Sequence, residues 1–175
     1  MFLKQHMLSL LEKSINELQG GGTIMNVFQF RISIVGIPRL YRIIEMSENC
    51  TFDDFHEVIF KAFDREDDHL YSFFLTGKDT KNIRKILDSP EITHPYNLEE
   101  TIDVEKPMKS SAKTRIKDVG LKKNDIMHYL FDFGDEWWHL IKVEDIVETK
   151  SRKKFMNVIT AVGESPPQYP DYDDE

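Results

Sequence analysis

Two segments of alternating hydrophobicity flank a short turn signal in the second half of the chain, and they constrain the fold more than any other feature. Residues 126–133 and 137–147 are rich in aromatic and β-branched side chains, with Gly134-Asp135 between them. A period of two on both sides of such a turn signal predicts an antiparallel β-hairpin. The protein is therefore expected to contain a sheet in which this hairpin supplies the two best-defined strands.

Four further segments have the alternation or the compact apolar character that is typical of strands. They cover residues 26–34, 41–45, 70–75 and 156–162. The first two are separated by a turn signal at residues 36–39, so they predict a hairpin that opens the domain.

Two segments have apolar residues at helical spacing. One follows Thr51, which begins a capping box, and the other covers residues 7–19 and ends at the glycine run 20–22. The N-terminal helix could dock on the domain or pair with a second copy in a homodimer, and both alternatives stay open. Residues 77–104 are predicted to be mostly loop, with a short helix near 81–87.

The length and composition fit one compact domain. A chain of 175 residues with 40% hydrophobic side chains can bury a substantial core. We place the domain at residues 23–168, after an N-terminal helix and glycine linker at 1–22 and before an acidic, disordered tail at 169–175. Cys50 is the lone cysteine, and no signal-peptide or membrane-span pattern is present. We therefore expect a cytoplasmic protein that does not bind membranes.

The charge balance limits the class of partner. Lys and Arg number 23 against 31 Asp and Glu, which gives a formal net charge of −8. A negative field repels phosphate backbones unless basic residues gather on one face, so nucleic-acid binding is disfavoured. The basic segment at residues 106–123 keeps that function as an alternative, although a solvated loop also explains it.

The polar side chains around the Gly134-Asp135 turn are the best candidates for a catalytic site. If the turn has two residues, Leu130 faces His139, and Asp132 and His139 become diagonal neighbours on one face of the hairpin. An Asp-His pair can orient an imidazole as a general base or supply two ligands to a divalent metal. The structural alternative is that Asp132 accepts turn hydrogen bonds and His139 is a half-buried strand residue. A longer turn would shift the register and break the pairing.

Two more histidines are candidate metal ligands. His56 lies beside the apolar stripe of the helix that follows Thr51, and His69 precedes the strand at 70–75. Both could converge with His139 if the helix and the hairpin pack face to face. Their spacing is not one of the tight patterns that mark zinc sites, and a core or capping role explains a lone histidine equally well.

Five segments occur in the order that is typical of the plasmid pRiA4b ORF-3-like family. They are Ile-Pro-Arg-Leu-Tyr-Arg at 37–42, the helix with Phe55-His56, Asp-His-Leu-Tyr-Ser-Phe at 68–73, Asp-Phe-Gly-Asp-x-Trp-x-His within 129–139, and Ser-Pro-Pro-Gln-Tyr at 165–169. The chain therefore resembles this family over about residues 26–172. The resemblance implies an α+β fold with a mixed or mainly antiparallel sheet and helices packed on one side.

The same resemblance implies little about activity. Family members are largely uncharacterised, and some are labelled resolvase-like passengers of mobile elements. A serine recombinase needs an activated serine among arginines, whereas Ser9 lies on a predicted helix with no arginine before Arg31. Many relatives have a tryptophan where this chain reads Phe63-Asp64-Arg65. The positions that match the family pattern are candidate binding residues without an assigned role: His56, His69, Asp132, Asp135, Trp137 and His139.

The sequence thus predicts a binding or regulatory module without a complete catalytic constellation, associated with mobile elements, whose partner is a protein, a peptide or a small ligand. One alternative is a metal-assisted hydrolase or nuclease that uses His56, His69 and His139 with Asp132 or Asp135 and a divalent metal. The other is nucleic-acid binding through the basic segment at 106–123.

Overall fold

The structure is a computed structural model of the chain and describes residues 23–100, 106–151 and 153–169. The predicted N-terminal helix at 7–19 lies outside the described residues, as does most of the predicted tail. Within the described part, no helix is long and apolar enough to cross a membrane.

The described residues form one eight-stranded sheet. Its strands are β1 (Ile24–Ile34), β2 (Tyr41–Ser47), β3 (Tyr71–Gly77), β4 (Glu91–Thr93), β5 (Met108–Ser110), β6 (Ile126–Phe131), β7 (Trp137–Lys150) and β8 (Met156–Val162). Their order across the sheet is β5-β4-β3-β6-β7-β1-β2-β8. Only β4 and β5 pair in parallel, and all other neighbours are antiparallel. The expected α+β class with a mainly antiparallel sheet is therefore confirmed.

Three α-helices and one 3₁₀ helix complete the described fold. They are α1 (Phe52–Ala62), α2 (Ile83–Leu87), α3 (Pro95–Glu100) and the 3₁₀ helix Ile116–Val119. The capping box predicted at the start of α1 is present: the Thr51 hydroxyl accepts the Asp54 N–H at 3.1 Å, and the Asp54 carboxylate accepts the Thr51 N–H at 2.6 Å. The sequence predicts loop where the structure has β4, β5 and α3. These elements have only three to six residues, which is too short for a strand or helix period of hydrophobic residues to be recognised.

Helix α1 packs its apolar side on the sheet. The Phe55 ring centroid lies 4.6 Å from that of Phe30 on β1 and 5.5 Å from that of Phe73 on β3. Strands β1 and β3 are three spacings apart in the strand order. The rings of Phe30, Phe55 and Phe73 therefore form a continuous aromatic layer across the centre of the sheet.

The helices lie on both faces of the sheet, so the expectation that they pack on one side is wrong. Helix α2 covers the face opposite α1, where Ile86 packs with Phe74, Leu130 and Trp138. The reason is the alternation of side chains along β3, which directs Phe73 toward α1 and the adjacent Phe74 toward α2.

Candidate functional site

The connection between β6 and β7 is a five-residue loop, so the predicted two-residue turn is wrong. Phe131 pairs with Trp137, and residues 132–136 join them. Asp132 and Glu136 have φ angles of 57° and 52°, in the left-handed region. The Asp132 carboxylate accepts the N–H of Gly134 at 2.9 Å and of Asp135 at 3.3 Å. These hydrogen bonds close the loop. They agree with the alternative in which Asp132 accepts turn hydrogen bonds rather than acting in catalysis.

The longer loop shifts the hairpin register by one residue and separates the predicted Asp-His pair. His139 pairs with Tyr129 rather than with Leu130, and its side chain is buried in the face that carries α1. Asp132 stays in the loop, where one carboxylate oxygen lies 3.5 Å from Nε2 of His69. The structure therefore does not bring Asp132 and His139 together.

His56 links α1 to the central strands. Its Nδ1 lies 2.8 Å from the Tyr129 hydroxyl, its Nε2 lies 3.5 Å from the Asp68 carboxylate, and its ring stacks on Tyr71 at 3.8 Å between centroids. Burial lowers the pKa of His56, and the nearby Asp68 charge opposes that shift. Both ring nitrogens are thus engaged by residues of the fold.

Tyr71 extends this polar network toward the start of α1. Its hydroxyl donates to the Asp53 carboxylate and lies 2.9 Å from the Ser111 hydroxyl. Burial, and then the hydrogen bond to Asp53, raise the pKa of Tyr71 far above its ordinary value. Tyr71 lies in the family segment at 68–73 but was not a candidate site residue, and no sequence pattern indicates Ser111. The strands and the loop that bring the two side chains together are distant in the chain.

The segment at residues 163–169 folds back over the end of α1. The Gln168 side chain accepts the N–H groups of Glu66 and Asp67 at 2.8 and 3.1 Å, and Tyr169 places its hydroxyl 2.9 Å from Nε2 of His69. His69 therefore sits between Tyr169 and the Asp132 loop.

The three candidate metal ligands do not face a common position. The nitrogens of His56, His69 and His139 have different neighbours, namely Tyr129 with Asp68, Tyr169 with Asp132, and the Trp137 carbonyl. Across the residues that the structure describes, no group of three or more His, Cys, Asp or Glu side chains is placed to hold a metal ion. Asp135 is exposed in the loop.

Trp137 and His139 lie beside a buried arginine that sequence analysis did not select. The Arg65 guanidinium carbon is 3.9 Å from the centroid of the Trp137 ring, and its Nη1 donates to the Pro166 carbonyl at 3.0 Å. Among the residues that the structure describes, four buried nitrogens have no hydrogen-bond partner: Nε and Nη2 of Arg65, Nε1 of Trp137 and Nε2 of His139. We call these three side chains the Arg65 cluster.

The protonation state of His139 follows from its contacts. Its Nδ1 lies 2.9 Å from the Trp137 carbonyl, which can only accept, so Nδ1 carries the proton. Burial, and then the Arg65 charge, lower the pKa of His139 to about 3. The ring is therefore neutral near pH 7, and its buried Nε2 has no hydrogen-bond partner among the described residues.

The opposite face of the same hairpin carries a groove between α2 and the turn after β1. It encloses a cavity of about 400 Å³. The walls are mainly apolar and come from distant segments: Ile34, Val35, Pro38, Ile83, Trp138 and Leu140. Polar groups enter at Asp79, Thr80, Lys81 and His128. We call this cavity the α2 groove. The one sequence signal for it is the adjacent tryptophan pair, since consecutive strand residues face opposite sides.

Two lysines of the basic segment at residues 106–123 form ion pairs within the fold: Lys106 pairs with Glu91 at 2.6 Å, and Lys123 pairs with Asp145 at 2.9 Å. These carboxylates neutralise part of the positive charge that a phosphate backbone would need.

Comparison with known proteins agrees with this architecture. The described sheet and helices resemble the crystal structure of the protein of unknown function MM3350 from Methanosarcina mazei Go1, with a TM-score of 0.64 and 28% identity over 83% of this chain and 75% of that one. A comparison with curated proteins gives no match. The sequence pattern described as plasmid pRiA4b ORF-3-like protein matches residues 26–169. The chain therefore belongs to the plasmid pRiA4b ORF-3-like family.

Proposed function

We propose that the protein is a binding module that takes a small apolar ligand with one polar end in the α2 groove. The observation that carries this proposal is the cavity itself, about 400 Å³ in volume and mainly apolar in its walls. Small-molecule sites in proteins typically measure roughly 300–1,000 Å³ and combine apolar walls with a few polar groups. The size fits a small molecule better than a folded partner.

The rim of the groove supplies apolar surface that a ligand would remove from water. Val35 is 56% exposed and Ile83 is 49% exposed, and both line the cavity. Covering such side chains is favourable, at about 25 cal/mol for each Å² of apolar area buried. Trp138 adds an aromatic surface between the walls.

The polar groups of the groove lie together and would orient the ligand's polar end. Asp79, Thr80 and Lys81 follow β3 and line the groove. His128 is buried and also lines it, with Nδ1 3.1 Å from the Thr76 hydroxyl and Nε2 3.8 Å from the Asp79 carboxylate. Burial lowers the pKa of His128, and the Asp79 charge opposes that shift. His128 is therefore neutral near pH 7 and offers hydrogen bonding rather than charge.

The geometry gives less support to a hydrolase. General-base chemistry at the hairpin would need Asp132 beside His139, and a metal site would need His56 and His69 beside His139. Instead, Asp132 closes its own loop, and the three histidines have separate partners.

A titration with 2-naphthol, an apolar bicyclic molecule with one hydroxyl, tests the proposal. The two tryptophans give two indole N–H resonances, which the variants Trp137→Phe and Trp138→Phe assign. We expect a saturable shift of the Trp138 resonance. Ile83→Asn, which removes an apolar wall, should weaken binding about tenfold.

Leu87→Asn is the matched control, because Leu87 is 43% exposed on the same helix and does not line the groove. This variant should bind 2-naphthol as the unmodified protein does. A Trp138 resonance that does not saturate, or equal weakening by the two substitutions, would reject the proposed function.

A further inference from the structure

The lining of the α2 groove contains one acidic and one basic side chain. Asp79 and Lys81 both line the cavity, and they are two residues apart in the segment that joins β3 to α2. Both side chains are exposed. Within the part of the chain that the structure describes, they do not form an ion pair with each other. The groove therefore offers two charges of opposite sign beside an apolar cavity.

The Asp79 carboxylate lies beside His128, which does not neutralise it. One carboxylate oxygen is 3.8 Å from Nε2 of His128, which is longer than a hydrogen bond. Burial lowers the pKa of His128, so the ring is neutral near pH 7. Among the described residues, Asp79 thus has no cationic partner and can accept hydrogen bonds from an ammonium group in the groove.

The Lys81 ammonium is also unpaired within the described ranges, where no acidic side chain forms an ion pair with it. A lysine carries its charge on a flexible four-carbon stem, so the ammonium can adjust its position to meet an anion. A ligand in the groove therefore meets a carboxylate beside His128 and a positive charge that can move toward it.

A ligand with a single charge would use this pair of side chains poorly. An isolated ammonium would gain Asp79 but approach Lys81, and an isolated carboxylate would gain Lys81 but approach Asp79. Like charges placed side by side are unfavourable, and complementary charges give specificity. A ligand with both charges on neighbouring atoms lets each side chain pair with its opposite.

We propose that the α2 groove binds a free α-amino acid with a large apolar side chain, an inference that rests on the proposed function of the groove. The ligand's ammonium pairs with Asp79, its carboxylate pairs with Lys81, and its side chain lies against Trp138 and Ile83. A free amino acid carries both charges on one carbon near pH 7.

The size and the charge pattern of the groove favour a single amino acid over a peptide. The cavity of about 400 Å³ lies at the lower end of the roughly 300–1,000 Å³ that is typical of small-molecule sites. A peptide carries its ammonium and its carboxylate at opposite ends of the chain, so one terminus cannot pair with Asp79 and Lys81 together.

Three compounds that share a phenylethyl group provide matched probes for the full-length protein. L-Phenylalanine has both charges, phenethylamine lacks the carboxylate, and 3-phenylpropionate lacks the ammonium. We expect L-phenylalanine to shift the Trp138 indole resonance saturably. By calorimetry it should bind about threefold to fivefold more tightly than either analogue, which is the range that one exposed ion pair supplies.

Two substitutions should remove the two preferences separately. Asp79→Asn removes the partner of the ammonium, so L-phenylalanine should lose its advantage over 3-phenylpropionate and keep its advantage over phenethylamine. His128 stays neutral in this variant, because the Asp79 charge favours its protonation. Lys81→Gln should have the reverse effect. Lys85→Gln and Asp88→Asn are the matched controls, since both residues are exposed and do not line the groove.

The outcomes distinguish this inference from the proposed function. If 2-naphthol saturates the Trp138 resonance but the three phenylethyl compounds bind equally, the groove is a ligand site and the amino-acid inference is wrong. Equal weakening of all three compounds by Asp79→Asn and by Lys81→Gln would also overturn it. If none of the four compounds gives a saturable shift, both proposals fail.

Discussion

Trp137 and Trp138 are consecutive residues on β7, yet they belong to two surfaces of opposite character. Trp137 lies under Arg65 among buried polar atoms, whereas Trp138 lines an open cavity with mainly apolar walls. Globular proteins usually show the reverse, with polar groups exposed and apolar groups covered. The two exceptions to this rule that are informative are a buried polar group without a partner and an exposed apolar surface. In this protein they lie on opposite sides of the same strand.

The β6–β7 hairpin separates two surfaces of the protein and does not form a single site. Sequence motifs gather Asp132, Trp137 and His139 within eight positions, which suggests one catalytic centre. Along a strand, however, consecutive side chains point to opposite faces of the sheet. The α2 groove and the Arg65 cluster are consequently separated by the sheet.

The largest expected difference between the two surfaces is in stability. Trp137→Ala removes the ring that covers the Arg65 cation, and we expect it to lower the free energy of unfolding by about 3 kcal/mol. Trp138→Ala removes one wall of an open groove and should cost about 1–2 kcal/mol. Urea unfolding of both variants measures this, and equal losses would contradict the distinction between a closed and an open face.

The pH dependence of stability should separate the two faces next. The pKa of His139 is about 3 in the fold against about 6.5 when unfolded, so its stabilising contribution is complete above pH 6.5 and declines as the pH falls toward 3. Between pH 7 and pH 5 this lost stability amounts to about 2 kcal/mol. His139→Gln should remove that part of the pH dependence.

His128→Gln provides the matched variant on the groove side. Burial lowers the pKa of both histidines. The Asp79 charge favours protonation of His128, whereas the Arg65 charge disfavours protonation of His139. We therefore expect His128→Gln to flatten the pH dependence less than His139→Gln. Chemical unfolding at pH 7 and pH 5 measures the pH dependence of stability in both variants, and a larger flattening by His128→Gln would contradict this expectation.

Local patterns in the sequence were sufficient to predict the long elements of this fold. The alternation in β1, β2, β6 and β7 and the capping box at Thr51 each depend on residues close together in the chain. The hairpin register was not predictable in this way. It depends on a loop in which two acidic residues, rather than glycines, adopt left-handed conformations.

The Arg65 cluster and the α2 groove depend on contacts between distant segments. Sequence analysis therefore selected Trp137 and His139 but neither Arg65 nor the groove. Arg65 lies in an acidic run that resembles the solvated end of a helix. It donates a hydrogen bond to the carbonyl of Pro166, which is 101 residues later in the chain. The α2 groove combines the end of β1, the start of α2 and the middle of the hairpin. No local period connects these segments.

The smallest expected effect concerns the loop that keeps the two tryptophans on their faces. Asp132→Ala loses the bonds to two loop N–H groups and places alanine at a φ of 57°, so it should cost about 1–2 kcal/mol. Asp132→Asn keeps an acceptor and a residue that tolerates this conformation, and should cost less than about 0.5 kcal/mol. Unfolding experiments measure the difference. If the chemical shifts of the two indole resonances are unchanged in both variants, strand pairing alone fixes the hairpin register. Asp132 then stabilises a loop whose length is already set by the strands.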